Sequence, residues 1–132
     1  MTPIGVFLGV SYTDPSTGQT TFNQYYPAST NASDIMAYVA SDPFLIMQMQ
    51  SDESLTQDDL GKNVAVVQTA GSTAVGTSKN AVDGSTAATT NTLPLKIIDF
   101  VEGSDSAIGD SFTDVLVMFN AGHQLLNTTG IG

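Results

Sequence analysis

The chain has no cysteine, no tryptophan and no arginine, a single histidine, and only three lysines against thirteen acidic residues in 132 positions. Each absence closes off a kind of chemistry. Without Cys there is no disulfide, no thiolate nucleophile and no Cys-ligated zinc. Lys62, Lys79 and Lys96 stand apart with no basic neighbour, whereas neutralising a phosphate backbone takes clustered Lys or Arg. Neither nucleic acid nor an anionic membrane is therefore expected as a partner. No apolar run approaches the ~20 residues of a membrane-spanning helix. Met1-Thr2-Pro3-Ile4-Gly5 carries no basic leader region, so the expectation is a chain made in the cytoplasm and used as made. Charged residues are also scarce at 12%, about half the usual share. Polarity comes instead from Ser, Thr, Asn, Gln and Gly. What is present is a 41% apolar content with a mean hydropathy of +0.08, enough for one real core in a single domain rather than a disordered chain.

Period-two alternation dominates. In Gly5–Thr13, Val6, Leu8, Val10 and Tyr12 fall on one side of an extended strand and Phe7 and Ser11 on the other. Asp14-Pro-Ser-Thr-Gly18 supplies turn residues, and Thr20–Tyr26 returns as a Thr- and aromatic-rich strand stopped by Pro27. Residues 5–26 read as a hairpin, too poor in large side chains to form a core alone. Ile35–Ala40 and Phe44–Gln50 flank Asp42-Pro43 and read as a second hairpin. Leu45, Met47 and Met49 face one way and Gln48 and Gln50 the other. Ser51–Gly61 has capping-box-like spacing at Thr56 and Asp59 with Gly61 as a stop, which fits one or two helical turns. Asn63–Thr69 reads as a buried strand. Residues 70–92 are almost wholly Gly, Ser, Thr, Ala and Asn, with a short strand expected at Asn80–Asp83. Leu93–Val101 and Thr113–Asn120 are the most strand-like runs. The expected fold is all-β: a single small barrel or sandwich over residues 28–132, preceded by an N-terminal hairpin arm over 1–27, with at most one short helix.

Catalytic constellations are thin. His123 is the sole candidate general base, and a structural histidine closing the last strand explains it better. Asp99 and Asp114 lie on the two strongest strands, where a facing pair would suit a glycosidase, but no Trp and only four Tyr leave little to stack a sugar, and the pair is not the reading adopted. Asp52, Glu53, Asp58 and Asp59, and likewise Glu102, Asp105 and Asp110, group enough oxygens for calcium without the spacing of a calcium loop. Gly71–Gly76 has no following Lys-Ser/Thr and makes no phosphate-binding loop. The reading is a non-enzyme with no cofactor and no metal, whose small-residue extended segments make contact surfaces. The candidate partner-binding anchors are Val6, Phe7, Tyr12, Phe22, Tyr25 and Tyr26 on the hairpin.

Asn23-Gln-Tyr-Tyr-Pro27, Ala37-Tyr-Val-Ala-Ser-Asp-Pro43 leading into a Phe- and Gln-bearing strand, Gly71-Ser-Thr, Leu93-Pro-Leu-Lys-Ile97 and Asp114–Gln124 occur here in one order. In that order the chain resembles small structural proteins that decorate or cement the capsids of tailed bacteriophages. The likeness spans most of residues 23–124. It departs at Met118, where such proteins more often carry a base, and at Asn120-Ala-Gly-His123, where they read Asn-Asn-His. The resemblance implies a protein on the virion exterior, made in the host cytoplasm, with the major capsid protein as partner, self-association on the shell and no active site. A receptor- or glycan-binding β-module of a tail or fibre is the alternative.

Overall fold

The computed structural model describes residues 3–127. Eight strands form two antiparallel sheets, with no α-helix among the described residues. The three-stranded sheet has the order β2-β1-β3, from β1 (Val6–Thr13), β2 (Thr20–Asn23) and β3 (Met36–Ala40). The five-stranded sheet has the order β4-β8-β7-β5-β6, from β4 (Ile46–Gln50), β5 (Asn63–Val67), β6 (Ala81–Ala88), β7 (Leu95–Phe100) and β8 (Asp114–Phe119). The all-β expectation holds in its sandwich form and not as a closed barrel. The larger sheet curls until its edges meet at one parallel bridge, Ser51 with Val82, where the Asp52 amide donates to the Val82 carbonyl at 3.0 Å.

The core lies inside this curl, where Val64, Val82, Leu95, Ile97, Val115, Val117 and Phe119 alternate inward from their strands. Leu55, 1% exposed, plugs the bridged end. The segment carrying it is stitched to the loop before β8: Thr113 Oγ1 accepts the Leu55 amide at 3.2 Å, and the Gly109 amide donates to the Leu55 carbonyl at 2.9 Å. The expected helical turns shrink to one 3₁₀ turn, Gln57–Asp59, with the capping box that the Thr56–Asp59 spacing foretold.

The N-terminal hairpin forms as read, Val10 opposite Asn23 and Thr13 opposite Thr20, and gains a third strand from beyond residue 27. The second hairpin does not form. β3 pairs with β1, whereas β4 pairs with β8 in the other sheet. Asp42 makes the crossing turn, its carbonyl accepting the Leu45 amide at 3.1 Å and its Oδ1 the Phe44 amide at 2.9 Å. The crossing lets Met47 and Met49 pack against the large core, a greater apolar burial than β3 would give them. β6 runs to Ala88, beyond the short strand expected, because side chains take over ladder positions. Thr86 Oγ1 accepts the Ala65 amide at 2.9 Å and donates to the Asp83 carbonyl at 2.7 Å.

The sheets are joined at Gln124, whose side chain is fully buried. Its Nε2 donates to the Ile4 carbonyl at 2.7 Å, just before β1, and to the Ser41 carbonyl at 2.9 Å, just after β3, while Oε1 accepts the Leu126 amide at 2.7 Å. The Leu125 amide adds a bond to the Pro3 carbonyl at 2.9 Å.

Two substitutions separate these layers of stability. Ile97→Val, a deletion in the closed core, is expected to cost about 0.5–1.5 kcal/mol in chemical denaturation. Gln124→Met keeps the volume but strips two carbonyls of their donor, and is expected to cost about 1–3 kcal/mol. A Gln124→Met protein as stable as the native one would contradict the account of the junction.

Candidate contact surface

The register of the small sheet brings three large side chains onto one face. Ser11, in the central strand, sits opposite Phe22 on β2 and opposite Met36 on β3, and Gly9 sits opposite Tyr38. Residues two apart on a strand share a face, so Phe22, Met36 and Tyr38 rise on both sides of a line of small residues, Gly9 and Ser11. The result is a shallow trough. Its walls are open to solvent, with Phe22 72%, Met36 61% and Tyr38 47% exposed, while its floor residue Ser11 is buried between them. Ser11 Oγ and the Tyr38 hydroxyl lie 3.1 Å apart in a hydrogen bond that fixes one wall.

The trough's hairpin end is set by Asp34. The Thr13 amide donates to its Oδ1 at 3.0 Å and Thr13 Oγ1 to its Oδ2 at 2.5 Å. Those bonds, the hydroxyl's first and the amide's second, hold the Asp34 carboxyl below the ordinary value of 3.8. The opposite face turns inward: Val10 and Tyr12 are buried, and Tyr12 meets Tyr26 edge to face with centroids 5.2 Å apart.

This placement sorts the six anchors expected from sequence. Phe22 stands on the open trough. Tyr12 does not serve as an anchor, because it is an internal residue of the small sheet. Tyr26 is tied down as well, its hydroxyl donating to the Thr30 carbonyl at 2.7 Å and accepting the Ala32 amide at 3.3 Å. Tyr25 lies over Gly76, which has φ +68° and no room for a side chain, since an added Cβ would come 2.2 Å from the Tyr25 ring. Val6 and Phe7 line a groove of about 810 Å³ between the sheets, with Leu8, Met47, Met49 and Phe119. Met36 and Tyr38, the other trough residues, were missed. Their i, i+2 spacing in β3 puts them on one face, which becomes a common face with Phe22 only because β3 pairs with β1.

No family model, no curated protein and no solved structure matches the chain. The surface and its chemistry therefore carry the functional reading.

The other candidate groups are engaged elsewhere. His123 Nε2 donates to the Asn91 carbonyl at 2.6 Å, beside Asn120, whose Nδ2 bonds Asn91 Oδ1 at 3.0 Å and the Leu93 carbonyl at 2.9 Å. These bonds fasten the 91–93 turn to the end of β8. Asp99 and Asp114 are not opposite each other: the register sets Asp99 opposite Leu116, two residues along from Asp114. One or more acids of each group accept backbone amides. Asp52 Oδ1 takes the Gly84 amide at 3.0 Å, and Asp110 Oδ2 the Ala107 amide at 2.8 Å. Asp59 is lowered chiefly by the Thr56 amide and further by Lys62, its ion-pair partner at 3.0 Å. Among the described residues no three metal-ligating side chains converge.

The Asp34 clamp makes a pH prediction. Its folded pKa lies below its unfolded value, so its contribution is complete above the unfolded pKa and disappears as pH falls through the folded one. The Tm gap between the native protein and Asp34→Ala is expected to stay constant from about pH 7 to about pH 5 and to narrow below about pH 4. A gap that persists unchanged into stronger acid would show that the carboxylate is not the stabilising group.

Proposed function

We propose that the protein is a structural component of a bacteriophage virion, binding the outer surface of the capsid and stabilising contacts between major capsid subunits. The observation that carries this reading is the trough of Phe22, Met36 and Tyr38: three large apolar or aromatic side chains open to water on one face of the small sheet. Such residues serve as anchors when they enter pockets on a partner. A shell offers the same pocket many times over, so modest contacts gain from multiplicity. The low charge content fits a surface that neighbours cover, since Ser, Thr, Asn and Gln can be buried against hydrogen-bonding partners without stranding an ion. Copies that also touch one another on the shell would add to this stabilisation.

One feature favours the second reading, a glycan-binding module. Tyr25, Tyr26, Ser72, Thr73 and Ser78 line a pocket of about 360 Å³. The Tyr26 hydroxyl is already committed to Thr30 and Ala32, however, and the Tyr25 ring to Gly76, which leaves little of either for a sugar.

Phe22→Ser with Met36→Ser separates the readings. Both side chains are exposed, so the folded protein should melt within a few degrees of the native one. Its affinity for shells of the cognate major capsid protein should fall by about tenfold or more, as loss of a binding anchor does. Undiminished shell binding by the variant would remove the trough from the interface. Binding to a host glycan array, with none to shells, would replace the first reading by the second.

A further inference from the structure

The charge of the chain segment that carries the trough is one-sided. Seven of the thirteen acids and none of the three lysines stand in the first 61 residues. Three of these acids belong to the small sheet and its turns. Asp34 and Asp14 stand at the hairpin end of the trough, Asp34 fixed by Thr13 and Asp14 by the Ser16 amide at 2.7 Å. Asp42 follows β3 at the other end, fixed by the Phe44 amide at 2.9 Å. All three carboxylates thus accept backbone N–H bonds that set their positions before any partner arrives. The nearest lysine in sequence, Lys62, is already paired with Asp59.

We infer that the surface covering this trough is an apolar patch flanked by Lys or Arg side chains at both ends, and that a second copy of this chain is excluded from it. The inference rests on the capsid-binding reading and specifies the chemistry of the capsid face that is met. Pre-positioned carboxylates lose little conformational freedom on binding, so cations placed opposite them gain more than they would against mobile side chains. They also speed encounter between an acidic protein and a basic rim. A second copy would set the fixed carboxylates of one trough against those of the other, and like charges brought together across an interface are strongly unfavourable. Self-association on the shell therefore uses other faces of the molecule.

The test is co-sedimentation with shells of the cognate major capsid protein across a salt series, using the native protein and Asp14→Asn with Asp34→Asn. The native affinity is expected to fall about tenfold or more between low and high salt, as exposed opposite charges become screened. The variant, folded by circular dichroism, is expected to bind several-fold more weakly at low salt and to converge with the native protein at high salt. Native binding that is equally tight across the series overturns the basic rim while leaving the capsid reading standing. A native dimer in solution that Phe22→Ser dissociates overturns the exclusion of a second copy. Failure to bind shells at any salt overturns the capsid reading and this inference with it.

Discussion

One buried amide holds the two halves of this molecule in register. Gln124 leaves the end of β8 and reaches two carbonyls, one at the entrance of β1 and one at the exit of β3. The five-stranded sheet has its own core, and the three-stranded sheet buries only Val10 and Tyr12 on its inward face. Hydrophobic burial alone is non-directional, so it would not fix the angle of so small a sheet. The two donors of a single fully buried side chain do, because each has a defined direction and leaving either carbonyl unpaired is costly.

With the small sheet fixed, its outer face becomes a built surface. Gly9 and Ser11 keep the central strand low, Phe22 and Met36 stand on its two flanks, and the Ser11–Tyr38 bond holds one wall upright. Nothing in the folding of the sheet requires three large apolar side chains in water. Their exposure has a cost that a covering partner would relieve. The carboxylates at the ends of the trough follow a similar economy: each first satisfies a turn amide or hydroxyl and then remains charged at the surface. Local structure and proposed binding thus draw on the same side chains.

Much of the fold was legible in the sequence. The period-two runs of β1, β2, β5, β7 and β8, the hairpin over residues 5–26, the Thr56–Asp59 capping box and the inward face of β4 all follow from local pattern. What escaped was non-local. The turn at Asp42-Pro43 has hairpin length, and only the competition between two sheets for Met47 and Met49 sends β4 away from β3. The face assignment of β1 failed for a different reason. A bulge between Phe7 and Gly9 inserts one residue, which turns Phe7 to the side of Val10 and Tyr12 and Val6 to the side of Ser11. Phe22 is therefore legible in sequence as an aromatic on the hairpin, Tyr12 lies buried on the inward face, and Met36 and Tyr38 share a face with Phe22 only because β3 lies beside β1.

The central claim is that the outer face of the small sheet is what the partner covers. Oxidative footprinting of the free and shell-bound protein tests it most directly, because Met36 is a sensitive reporter in the middle of the trough and Phe112 is exposed far from it in sequence, in the loop before β8. The account predicts that oxidation of Met36, Phe22 and Tyr38 drops sharply on binding while that of Phe112 is unchanged. Saturated shells on which Met36 oxidises as fast as in the free protein would contradict it.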